Sequence, residues 1–89
     1  MFWTTDTPKE CEMFKFVRVN GVYRWWRDGY FAPNHIQAVG EGETAESAGV
    51  IGISKNHWKF YEVYSMTLKI GTDASDRERI SKLLNLPEE

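Results

Sequence analysis

Nucleophilic or transition-metal chemistry in this chain would have to come from one cysteine, Cys11, and two histidines, His35 and His57. A catalytic cysteine needs a stabilised thiolate. Cys11 lies between Glu10 and Glu12, whose charges oppose one. A metal site needs three or four ligands at compatible spacing, and no cysteine lies near either histidine. The segment Gly40–Gly49 has the glycines of a phosphate-cradling loop. It also carries Glu41, Glu43 and Glu46 and no lysine, so it would repel phosphate. Its acids are too sparse for a calcium loop. These residues point to a protein that is not an enzyme, with no metal and no cofactor.

Binding chemistry is better represented. Arg18, Tyr23, Arg24, Trp25, Trp26 and Arg27 interleave aromatic and cationic side chains within ten positions. Trp, Tyr and Arg dominate the energetics of interfaces. The cluster has three readings. It can be core, with arginines stacked over aromatics. It can be a docking patch for a partner protein. It can be a platform for single-stranded nucleic acid, with bases on the rings and phosphates on the arginines. Net charge is −2, although residues 13–40 hold four cations against Asp28 alone. The acidity of the whole chain favours protein over nucleic acid. Self-association through the same face, as a homodimer, is a further outcome.

The elements that position this cluster begin with Asn20-Gly21. That pair is the strongest short-range hairpin signal, because a type I′ turn needs positive φ at both residues. A two-residue turn sets Val19 opposite Val22, Arg18 opposite Tyr23, and so on to Phe14 opposite Arg27. One face then carries Phe14, Phe16, Arg18, Tyr23, Trp25 and Arg27. The other carries Lys15, Val17, Val19, Val22, Arg24 and Trp26. Adjacent tryptophans point to opposite faces of a strand, so one of them needs a cover outside the main core. Asp28-Gly29 predicts another reversal, into Tyr30-Phe31. Residues 35–39 alternate as a strand, 40–49 read as an acidic loop, 50–53 as a strand and 56–57 as a turn. Residues 58–70 alternate as one long strand or two with a bend. Ser75-Asp76-Arg77-Glu78 has the pattern of a capping box. A helix should follow over residues 75–86, with Ile80, Leu83 and Leu84 as its apolar stripe.

The expected fold class is α+β: a small twisted antiparallel sheet or open barrel of about five or six strands, with one C-terminal helix packed on it. The 89 residues make one domain. Residues 1–12 form an N-terminal segment, 13–70 the sheet and 75–86 the helix. One cysteine forbids an internal disulfide, and the N-terminus lacks the basic and apolar regions of a signal peptide. No apolar run could span a membrane, so a cytoplasmic protein is expected. The order of strand, loop, strand, long strand and capped helix around Phe31-Ala32-Pro33-Asn34-His35-Ile36 resembles small bacterial and phage β-proteins of regulatory type. That resemblance implies an inhibitor or accessory regulator and assigns no residue a role.

Overall fold

The computed structural model describes every residue from Met1 to Glu89. Asn20 and Gly21 adopt φ of 52° and 76°, the backbone of a type I′ turn. They join β1 (Met13–Val19) to β2 (Val22–Arg27). The register runs from Val19 opposite Val22 to Phe14 opposite Arg27, as the turn requires. β3 (Ala45–Ile53) pairs with the other side of β1, and β4 (Trp58–Tyr61) pairs with β3. All pairs are antiparallel, in the order β2-β1-β3-β4. The sheet has four strands, not five or six, and is not a barrel, since β2 and β4 lie at opposite edges.

Three expected elements take other forms. Residues 35–39 are not a strand, because His35–Ala38 wind into a 3-10 helix. Gln37 folds its side chain back to accept the Asn34 amide at 2.7 Å. This local bond gives the backbone an alternative to a ladder. The acidic loop is shorter than 40–49, and β3 begins at Ala45. The small residues that suggested a loop make room instead. Phe16 lies opposite Gly49, and a methyl group on Gly49 would sit 2.7 Å from its ring. The third change is that β4 stops at Tyr61, and the sheet does not continue to Ile70. The chain swings out and turns tightly, with Lys69 at φ 59°. It returns at Gly71, whose carbonyl accepts the Ala48 amide at 3.1 Å. Tyr64 and Met66 are therefore exposed rather than buried with Trp58 and Phe60.

Both faces of the sheet are covered. On the first, Phe14, Phe16, Tyr23, Trp25, Ile51, Ile53, Trp58 and Phe60 pack with Ile80 of α1 (Asp76–Leu84). On the second, Val17, Val19, Trp26 and Ala48 pack with Ala38, and Trp3, Leu68 and Ile70 close over them. The chain's own ends cover part of each edge. Thr4 exchanges two backbone bonds with Trp25 of β2, at 3.0 and 2.8 Å. Trp58 of β4 bonds to Pro87 and Glu89 at 3.0 and 2.6 Å. Covered edges do not recruit other strands.

The cap of α1 lies earlier than Ser75-Asp76-Arg77-Glu78 predicts, and Ser75 makes no side-chain cap bond. Asp73 accepts the Ser75 amide at 3.2 Å, and Asp76 reaches back to accept the Asp73 amide at 2.8 Å. Asp73 and Asp76 therefore share the capping of the first turn, each carboxylate accepting one of its amides. Ile80 and Leu84 face the core as expected, but Leu83 is half-exposed.

Candidate functional site

The six residues expected to dock a partner divide into buried anchors and paired rim charges. Arg18, Tyr23, Trp25 and Trp26 are buried. Too little of their rings or of the Arg18 guanidinium is exposed for them to form an open docking patch, which corrects their expected place on the surface. The cause is the double cover of the sheet: each tryptophan enters a different core cluster. Trp26 lies edge-on to Phe2 and His35 and donates its indole N–H to the Pro33 carbonyl at 3.0 Å.

Arg18 and Tyr23 instead build a polar lock beneath α1. Asp76 is wholly buried. Its Oδ1 accepts Arg18 Nη1 at 2.8 Å, Ser47 Oγ at 3.2 Å and the Tyr23 hydroxyl. Arg18 Nε also donates to Glu46 Oε1 at 3.0 Å. Burial and the Asp76 carboxylate push the Tyr23 phenol far above its ordinary range. Every buried side-chain donor and acceptor has a partner. A satisfied buried network of this kind fixes packing, here that of the helix on the hairpin.

The other two residues lie at the rim. Arg24 forms a two-pronged pair with Glu43, at 2.8 and 2.6 Å, and its guanidinium stacks 4.4 Å over Trp3. The Arg24 bonds and the Gly40 amide hold the Glu43 carboxyl at about 2. Arg27 is exposed and pairs with Glu12 at 2.6 Å.

Sequence reasoning missed the opening that Tyr23 and Trp25 line. A groove of about 480 Å³ runs between the N-terminal segment, the hairpin turn and α1. Its apolar part is Val22, Tyr23, Trp25 and Leu83, with Thr5 and Thr7 on one side and Arg79 and Lys82 on the other. Val22 and Leu83 are each 49% exposed. No carboxylate lines it. Of the five arginines in the sequence, Arg18, Arg24, Arg27 and Arg77 each have carboxylate partners. Arg79 has none, and its Nε donates only to Ser75 Oγ at 3.1 Å. A second exposed feature is the pair Tyr30 and Phe31, 95% and 92% exposed, whose rings meet edge-on at 4.9 Å. The expected reversal into a strand does not occur there. Leu83 at the end of the helical stripe was the one available signal for the groove.

Cys11 is exposed, with a free thiol. His35 is buried and donates Nε2–H to the Gly49 carbonyl at 3.0 Å; His57 lies 3.5 Å from Glu89. No three His, Cys, Asp or Glu side chains are grouped to hold a metal ion. No helix is long and apolar enough to cross a membrane. The architecture is a small α+β sheet covered on both faces, with one groove of mixed apolar and cationic character. Compared with known proteins, the chain matches no family model, no curated protein and no solved structure.

Proposed function

We propose that the protein is a non-catalytic binding module that docks on a partner protein through the groove between its hairpin and α1. One observation carries this reading: the only arginine without a carboxylate partner, Arg79, overlooks half-exposed Val22 and Leu83. Apolar side chains ringed by polar groups mark protein contact sites. A standard interface takes about 800 Å² from each partner, so the contact would extend from the groove onto the surrounding surface. The module acts in the cytoplasm, where a lone exposed thiol such as Cys11 stays reduced. Its role is that of an inhibitor or accessory regulator. Single-stranded nucleic acid draws less support, because the tryptophan faces that would stack on bases are covered.

The test is a double variant, Val22→Asp with Leu83→Asp. Both positions are half-exposed, so the melting temperature should move by only a few degrees. Capture of a partner from native cell lysate should be lost. A partner that survives the double variant refutes the groove. A partner that disappears on nuclease treatment transfers the role to nucleic acid.

A further inference from the structure

Building on that groove reading, we infer that its occupant is an acidic segment of another protein, in which Asp or Glu flanks one bulky apolar side chain. Charge complementarity carries this inference. The chain holds 13 Asp and Glu residues against 11 Lys and Arg, yet no carboxylate lines the groove, and both charged residues that do are cations. Arg79 has no carboxylate within pairing distance, although it has an excess of acids to choose from. Lys82 has only an exposed pair with Glu78, at 3.2 Å, which is a weak, solvated contact. An incoming carboxylate therefore meets a guanidinium bonded to no carboxylate, with only the longer-range charge of Glu46 nearby, and breaks no salt bridge at Arg79. The half-exposed side chains of Val22 and Leu83 lie beside it to receive an apolar group. A nucleic-acid strand fits less well. It needs a run of cations and open ring faces, whereas here there are two cations and the almost fully buried rings of Tyr23 and Trp25.

The experiment uses the full chain and a random heptapeptide library displayed on phage. Wild type, Arg79→Ala and Leu83→Asp are screened in parallel, with circular dichroism confirming that each is folded. Sequences enriched on wild type should carry Asp or Glu next to a bulky apolar residue. They should bind Arg79→Ala about tenfold more weakly or worse, as expected for loss of a charged hot spot. They should fail to bind Leu83→Asp. Enriched sequences that depend on Leu83 but show no acidic preference, or bind Arg79→Ala equally well, overturn the inference and leave the groove reading standing. If no enriched sequence depends on Leu83, both fall. Quenching of tryptophan fluorescence by oligothymidylate that is abolished in Arg79→Ala would assign the groove to nucleic acid and also overturn the inference.

Discussion

Replacing Asp76 with Asn should destabilise the protein far more than any surface change. Asp76 is wholly buried and serves Arg18, Tyr23, Ser47 and the Asp73 amide at once. Asparagine keeps the shape but removes the charge and turns one acceptor into a donor. Weakening a bond to a buried charged group costs about 2 kcal/mol. Breaking a buried ion pair outright, as in Asp76→Ala, costs about 3–5 kcal/mol. A chain of 89 residues has a total stability of roughly 4–13 kcal/mol, of which the alanine variant removes a large share. The asparagine variant is the measurable one. A loss of about 2 kcal/mol corresponds to about 8–16 °C in melting temperature for a domain this small. Urea unfolding of wild type, Asp76→Asn, Arg18→Met and the double variant completes the cycle. Because the two side chains touch at 2.8 Å, their effects should be non-additive by about 1–3 kcal/mol. A cost below about 0.5 kcal/mol for Asp76→Asn, or additivity within that range, would refute the view that this network holds α1 to the hairpin.

Gly49→Ala should cost about 1–3 kcal/mol by overpacking, because the new methyl group would meet the fully buried Phe16 ring at 2.7 Å; an unchanged urea midpoint would show that the ring can move aside. Trp26→Ala should cost about 3–5 kcal/mol, while Tyr30→Ala with Phe31→Ala should stay within about 0.5 kcal/mol, since only the former is buried; calorimetry separates them. Acidification should destabilise the fold in two stages. Burial lowers the His35 pKa below its ordinary 6.5, so the unfolded chain takes up a proton first and stability falls as the pH drops below that value. Glu43, Glu46 and Asp73 are held below their ordinary values, Glu43 at about 2, so their contribution is present above about 4.5 and is lost as the pH falls through their folded values. Melting temperatures against pH should show both stages, and His35→Gln should flatten the first. A melting temperature that rises between about pH 7 and 5 would contradict the sign.

Much of the fold is legible in short-range chemistry. Asn20-Gly21 determined the turn, the register and the division of the hairpin into two faces, because backbone sterics at two residues suffice. The C-terminal helix was legible from its apolar stripe, although its capping lies earlier than Ser75. Strand and loop could not be told apart where local preference was weak. Ala48-Gly49 reads as loop until Phe16, far away in sequence, needs the space above it. The alternation of residues 58–70 reads as strand until the chain's end takes the edge at Trp58 and Gly71 takes the bond to Ala48.

The candidate site shows the same division. Residue types alone singled out Arg18, Tyr23, Arg24, Trp25, Trp26 and Arg27, and strand geometry determined that the two tryptophans point apart. Only the tertiary structure decided that neither tryptophan is free. Packing against α1 covers one face, and packing against the N-terminal segment and the 3-10 helix covers the other. It also decided which cation is left over. Each carboxylate partner lies far along the chain from the arginine it neutralises, Asp76 from Arg18 and Glu43 from Arg24. Arg79 is left without a salt bridge because Glu46, near enough to feel its charge, is bonded to Arg18 and the Gly21 amide instead, a property of the assembled surface that no local pattern encodes.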